Sequence, residues 1–316
     1  KNRFEYNKMA AMFSLKFKII FIFQIGLCMF FLLVLWNSKG SPKLNQRTND
    51  TVYKDLLTTV ISPKKRPSMK FILKNETNQL LLTRIKCNDK LLPIYVFRFD
   101  GISKHLVVKH SWEGNQILDL VRFSEKYDFH FIDIGCNLGV YSLNMACRGR
   151  DVIAVDANIE TINAFKHSIN VNQFNDKIVL LHNAVTDSHN EFEMLIVNKD
   201  IAKGRIQGIT GMTTKKTVKG IFIDDIIPFV KHKNVIIKID IEGEEIKALK
   251  KAKNLFKTFN VLAVQIEWAF IRHHEDINSV IEFFQFYNLT PHKTSGELLK
   301  TSDHVLWPIE VLWKIV

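Results

Sequence analysis

Phe131-Ile132-Asp133-Ile134-Gly135-Cys136-Asn137-Leu138-Gly139-Val140 is an apolar run that enters a short glycine-bearing turn and continues into an amphipathic pattern. It reads as a buried strand, a tight turn and a helix. Glycine in such a turn lets the backbone approach a bound molecule, and the first N–H groups and the dipole of the helix favour anionic ligand groups. The segment therefore predicts a site for a small-molecule cofactor.

Glycine spacing narrows the choice of cofactor. A dinucleotide fingerprint needs G-x-G-x-x-G, whereas here Gly135 and Gly139 are separated by three residues with Asn137 between them. Asp133 would also repel a pyrophosphate, but it can accept hydrogen bonds from an ammonium group, and S-adenosylmethionine carries one. Downstream, residues 151–156 read as a second buried strand ending in Asp156, a carboxylate placed to take both hydroxyls of a ribose. Ile159, Ile162, Phe165 and Ile169 then recur at helical spacing, the stripe of a helix packed on a sheet. Three more apolar runs follow. Residues 177–181 end at His182-Asn183-Ala184-Val185, residues 235–239 at Asp240-Ile241-Glu242-Gly243, and residues 261–266 at Glu267-Trp268. The run before Asp240 leads into a helix with Ile246 and Leu249 inward. Polar residues thus gather at the carboxyl ends of strands, where ligands bind in open α/β sheets.

Lys238-Ile239-Asp240-Ile241-Glu242-Gly243-Glu244-Glu245, taken with the 131–139 segment, resembles the FkbM family of S-adenosylmethionine-dependent methyltransferases. The resemblance runs from about Tyr95 to the C-terminus and includes Trp112-Glu113 and Ile223-Asp224-Asp225-Ile226. It implies a class I methyltransferase fold, Rossmann-like, with a mostly parallel seven-stranded sheet, helices on both faces and a reversed last strand from residues 304–316. It also implies site residues. Glu113, Asp133, Gly135, Asn137 and Gly139 would bind the cofactor, the last four around its methionine end. Asp156 would take the ribose, Asn183 and Ala184 would lie near the adenine, and Asp240 would lie closest to the methyl group. Cys136 departs from the Ala often found in the family and reads as a small buried residue.

Methyl transfer from a sulfonium needs mainly that donor and acceptor be held in line. An alcohol acceptor also needs somewhere for its proton to go, which makes Asp240 the first candidate base or positioning group and Glu242 the second. Glu242 has a competing reading as an acid near a helix N-terminus. His273-His274 lacks a third ligand at metal spacing, so no metal site is expected. Asp224-Asp225 reads as the start of a short segment without a catalytic role. Residues 198–219 read as a long irregular insertion whose Lys203, Arg205, Lys215, Lys216 and Lys219 would suit an acidic acceptor or a solvated loop.

At the N-terminus, residues 19–36 are apolar save Gln24 and would span roughly 27 Å as a helix. They predict a transmembrane signal anchor in contact with the lipid bilayer. Basic residues before it predict a cytoplasmic tail over 1–18 and a type II orientation, with the catalytic part in the lumen of the endoplasmic reticulum or Golgi. A cleaved signal peptide and a secreted product form the alternative. Residues 37–67 read as a stem or linker, and 68–316 as the methyltransferase domain, divided into a strand region over 68–125 and a Rossmann-like core over 126–316. The sequons at Asn49, Asn75 and Asn288 agree with lumenal exposure.

The chain has 316 residues and a formal charge of +12, but no basic stripe interleaved with aromatics, so nucleic acid is not an expected partner. Cys87, Cys136 and Cys147 follow the apolar segment; one pair and a free thiol are possible, and spacing does not choose the pair. The expected function is O-methylation of a hydroxyl on a glycan, glycoconjugate or small-molecule acceptor. One rival is a type II Golgi glycosyltransferase with Asp240-Ile241-Glu242 as an acid-x-acid metal site, against which the 133–139 turn argues. Another is a binding module of the same fold that has lost its cofactor.

Overall fold

The computed structural model describes residues 80–98, 100–196, 204–209 and 217–316. In chain order they form β1 (Leu80–Cys87), β2 (Lys90–Phe97), α1 (Gly101–Lys109), α2 (Gly114–Ser124), β3 (His130–Ile134), α3 (Val140–Cys147), β4 (Asp151–Asp156), α4 (Ile159–Val171), β5 (Ile178–His182), β6 (Ala184–Val185), β7 (Glu191–Ile196), β8 (Gly204–Gly208) and β9 (Thr217–Ile221). After a 3₁₀ turn at Ile223–Phe229 come β10 (Asn234–Ile239), α5 (Glu245–Lys250), α6 (Lys253–Thr258), β11 (Asn260–Glu267), α7 (Ile277–Phe286) and β12 (Thr290–His292). A second 3₁₀ turn at Thr301–Leu306 leads into β13 (Glu310–Lys314).

The main sheet has seven strands in the order β12-β13-β11-β10-β3-β4-β5. β3, β4, β5, β10 and β11 pair in parallel, whereas β13 runs antiparallel to both β11 and β12. This is the expected class I methyltransferase arrangement, with the reversed strand contributed by the C-terminus. Parallel strands buried on both faces need near-continuous apolar sequence, and every residue of β3 is buried. The alternation along the strands separates two cores. Ile132, Ile134, Ile237 and Ile239 pack with α5, α6, α7 and the tryptophans 268, 307 and 313, whereas Phe131, Val152, Ala154 and Ile236 pack with α2, α3, α4 and the β1–β2 hairpin.

The region 68–125, read from sequence as strands, contains the β1–β2 hairpin and then two helices. The hairpin is tied to α4 by hydrogen bonds from the Tyr95 amide to Ser168 Oγ (2.9 Å) and from Asn172 Nδ2 to the Pro93 carbonyl (2.7 Å). A disulfide joins Cys87 to Cys147 at the end of α3, and Cys136 is a buried free thiol. The insertion expected to be irregular over 198–219 contributes strands instead: β8 and β9 flank β7 in a small four-stranded sheet of order β6-β9-β7-β8.

The membrane reading is corrected. No helix among the described residues is long and apolar enough to cross a membrane. The longest of them, α4 with 13 residues, reaches only about 20 Å against a hydrocarbon core of about 30 Å. Residues 19–36 themselves lie outside the described residues, as do the tail over 1–18 and the stem over 37–67. The signal anchor, the bilayer as a partner, the type II orientation and the lumenal placement in the endoplasmic reticulum or Golgi therefore have no spanning element in the described structure.

Candidate active site

A cleft of 1390 Å³ opens at the carboxyl ends of β3, β4, β10 and β11. Parallel strands leave their last residues pointing toward this edge, and the turns that follow build its floor. Gly135 and Cys136 donate their amides to the Val155 carbonyl at 2.8 and 3.0 Å, and Gly139 N–H closes the turn onto the Cys136 carbonyl at 2.8 Å. Gly135 has φ +81° and lies against the Asp240 backbone, where a Cβ would strike the carbonyl oxygen. Only glycine satisfies both demands.

Asp133 is 1% exposed in the middle of the sheet edge. Its Oδ2 accepts a hydrogen bond from Ser142 Oγ, whereas Oδ1 is buried without a hydrogen-bond partner. Burial pushes its carboxyl up to about 6, against the opposing charge of Lys238. Asp156 closes the other side. Its Oδ2 accepts from the Asn137 amide at 2.8 Å, and its Oδ1 from the Asn158 amide (2.8 Å) and Thr161 Oγ1 (2.9 Å). Burial raises this carboxyl as well. Asn183 reaches the same wall, its amide donating to the Asp156 carbonyl (3.1 Å) and its Nδ2 to the Lys219 carbonyl (3.1 Å).

On the other side of the glycine turn the strands place a row of ionisable groups on one face. Lys238 pairs in register with Asp133 on β3 and with Gln265 on β11, and Glu267 pairs with Glu310 on β13. Lys238 is buried, its Nζ donating to Asp240 Oδ2 at 2.7 Å and lying 4.9 Å from the Tyr141 ring centre. Burial alone would raise the Asp240 carboxyl, but the Lys238 charge and hydrogen bond outweigh it and hold the group below its ordinary value. Glu267 is held well above its ordinary value, to about 10, by burial and then by the Asp240 charge and hydrogen bond. Glu310 is raised to about 7, first by burial. Behind this row, Tyr141 Oη donates to Glu113 Oε2 (2.8 Å) and accepts from Gln265 Nε2 (2.9 Å), which also reaches Glu310 Oε2 at 3.3 Å.

Glu113, Asp133, Gly135, Asn137, Asp156, Asn183, Ala184, Asp240 and Glu242 all line this one cleft. Gly139 does not; with φ +79° it packs against the Phe165 ring, where a Cβ would collide. Glu242 is not the cap of the following helix. Glu244 holds that position, and the Glu245 carboxylate ties down the preceding turn, accepting from the Ile241 and Gly243 amides at 2.9 and 3.3 Å. Glu242 instead has φ +56° and sits at the rim, 3.9 Å from Arg205 of β8. Arg205 also stacks over the exposed ring of Phe270 at 4.9 Å, which brings the insertion into the cleft wall. His273 and His274 lie away from the cleft lining, and the Asp224 carboxylate caps the start of α6 through the Asn254 and Leu255 amides.

Sequence reasoning assigned no role to Lys238, Glu267, Glu310, Tyr141 or Gln265. Glu267 carried the one available signal, an acid at a strand's carboxyl end; the others depend on the register with β13 and on the packing of α3. Among the described residues no group of three or more His, Cys, Asp or Glu is placed to hold a metal ion. The Lys238 ammonium beside Asp240 would repel a divalent cation from the Asp240-Ile241-Glu242 pair, which removes the support for the glycosyltransferase reading.

No curated protein matches the sequence. Solved structures similar in fold include a TehB-like SAM-dependent methyltransferase from Corynebacterium glutamicum ATCC 13032 Kitasato, at 9% identity over 67% of this chain and 91% of that one with a TM-score of 0.38. A precorrin-6y C5,15-methyltransferase from Geobacter metallireducens GS-15 matches at 8% identity over 64% and 85% with a TM-score of 0.34. A SAM-dependent methyltransferase from Agrobacterium tumefaciens matches at 11% identity over 61% and 54% with a TM-score of 0.34. Likenesses this distant say nothing of acceptor or residue roles. The sequence model of the family described as the methyltransferase FkbM domain matches residues 133–288, from the aspartate of β3 to the end of α7. Residues 133–288 thus carry a match to the methyltransferase FkbM domain.

Proposed function

We propose that the cleft binds S-adenosylmethionine and that the protein methylates a hydroxyl on a glycan or other small-molecule acceptor. The observation that carries this reading is Asp133 Oδ1, a buried carboxylate oxygen without a partner on the cleft wall beside the glycine turn. Leaving such an atom unsatisfied costs about 1–3 kcal/mol, and the ammonium group of the cofactor is the donor it lacks. Gly135 and Asn137 supply the close backbone approach. Asp156 Oδ2 accepts from the Asn137 amide and keeps a lone pair for a ribose hydroxyl. Asn183 and Ala184 flank the adenine, and Glu113, fixed by Tyr141, completes the methionine end.

When bound, the cofactor supplies a methyl group already activated on a sulfonium. The protein's task is then to hold the acceptor in line and receive its proton. Asp240 performs this at the cleft, steadied by Lys238, and Glu242 orients the acceptor from the rim. The test is transfer of a labelled methyl group from S-adenosylmethionine to a panel of glycans and small polyols. Asp240→Asn should lose about 100-fold or more in turnover while its affinity for the cofactor stays near that of the parent. Full turnover in this variant would overturn the role of Asp240, and absence of cofactor binding in the parent would overturn the reading.

A further inference from the structure

Three carboxyl groups end neighbouring strands at the acceptor side of the cleft. Asp240 follows β10, Glu267 closes β11 and Glu310 opens β13. The pairing of Ile239 with Ile266 sets Asp240 beside Glu267, and Glu267 is itself the register partner of Glu310. All three line the cleft. Lys238 is the buried cation among them, and its Nζ is committed to Asp240 at 2.7 Å, leaving Glu267 Oε2 buried with no partner. Two carboxylates at adjacent strand ends, only one of them paired with the lysine, cannot both ionise cheaply.

We propose that Glu267 shares a single proton with Asp240, so that the pair, rather than Asp240 alone, positions the acceptor hydroxyl and takes up its proton. This inference rests on the methyl-transfer reading of the cleft and adds a positioning residue to it. In the reaction, the hydroxyl oxygen forms the new bond to the methyl carbon while the carbon–sulfur bond breaks with its electron pair left on sulfur. The hydroxyl proton passes to the pair, which goes from one proton to two and returns the extra one to water as product leaves.

The groups facing Glu267 are Asp240 and Glu242 from the turn after β10 and Glu310 from β13, while Lys238 of β10 faces Asp240. Arg205 of β8 stands against Glu242, and Glu113 of the turn before α2 and Tyr141 of α3 face Lys238. Burial, Asp240, Glu310 and Glu242 all favour the protonated form of Glu267. Asp133, Glu245 and Glu310, raised only to about 6, 7 and 7, lose their protons at lower pH.

The experiment is infrared spectroscopy of the full chain at about pH 8.5, reading the C=O band of protonated carboxyl groups, with calorimetric titration of S-adenosylmethionine in parallel. The wild type should show the band and lose it only as pH rises toward 10. Glu267→Gln, close in size and still able to donate to Asp240, should abolish it. Asp240→Asn should abolish it too, because the lysine freed of its partner then favours ionised Glu267. A wild type without the band, or a band that survives in Glu267→Gln, would overturn the proposal. So would a band lost in Glu267→Gln but kept in Asp240→Asn, since burial alone would then hold the proton. The wild-type titration decides the first point even if a variant fails to fold. Failure of the folded wild type to bind S-adenosylmethionine would instead overturn the methyltransferase reading of the cleft, which the carboxyl band does not test.

Discussion

Lys238 and Asp240, two residues apart at the end of β10, form an ion pair with Nζ 2.7 Å from Oδ2 and the lysine side chain only 4% exposed. The lysine carries its charge in the core because Asp240, Glu113 and Glu310 together outweigh the penalty of burial and raise its affinity for its proton. The pair fixes the carboxylate expected to meet the acceptor.

Lys238→Met should therefore destabilise the protein by about 3 kcal/mol, because it leaves acids buried without a counter-ion. Urea denaturation at neutral pH would measure this. An unchanged midpoint would mean that the acids relax into solvent when the lysine is removed.

Asp133 predicts a pH dependence. Its folded value of about 6 lies above the ordinary 3.8, so its contribution to the stability of the ligand-free protein is present below the ordinary value and is lost as pH rises through about 6. Binding an ammonium group asks for the opposite, ionised form. Affinity for S-adenosylmethionine should increase about tenfold from pH 5 to pH 7, and Asp133→Asn should weaken binding and flatten this slope. Calorimetry across that range checks both statements.

Gly139→Ala should cost about 2–4 kcal/mol, since alanine is strained at φ +79° and its methyl would collide with the Phe165 ring. The loss of stability would come first, because Gly139 does not line the cleft. Thermal unfolding of the variant with and without cofactor separates stability from binding.

Reducing the Cys87–Cys147 bridge, which spans 60 residues of sequence, should lower stability by about 4 kcal/mol on the chain-entropy account. The same loss is expected for Cys87→Ser with Cys147→Ser, and denaturation with and without reductant tests it. Cys136, buried and with its thiol pushed up by desolvation, should remain unreactive toward alkylating agents until the protein unfolds.

The parallel strands and the glycine turn could be read in the sequence because each carries a local signal: apolar runs, helical spacing at Ile162, Phe165 and Ile169, and acids at strand ends. Asp133, Asp156 and Asp240 belong to that class, and all three meet in one cleft. The partners that tune them do not. Glu310 arrives only because β13 runs back along β11, and Tyr141 reaches Glu113 across 28 residues. Helix α1 was missed because GISKHLVVK begins with glycine and pairs β-branched valines, a weak helical signature. Likewise, β8 pairs with β7 through a register that no residue of 204–208 announces by itself. The apolar run at 19–36 lies outside the described residues, among which no helix is long and apolar enough to cross a membrane.

The most direct test of the account is calorimetric titration of the protein with S-adenosylmethionine, repeated on Asp133→Asn and Asp156→Ala. Saturable one-to-one binding by the wild type, weakened about tenfold or more in each variant, is the predicted result. Absence of binding by the folded wild type, or equal affinity in all three proteins, would contradict the assignment of this cleft as the cofactor site.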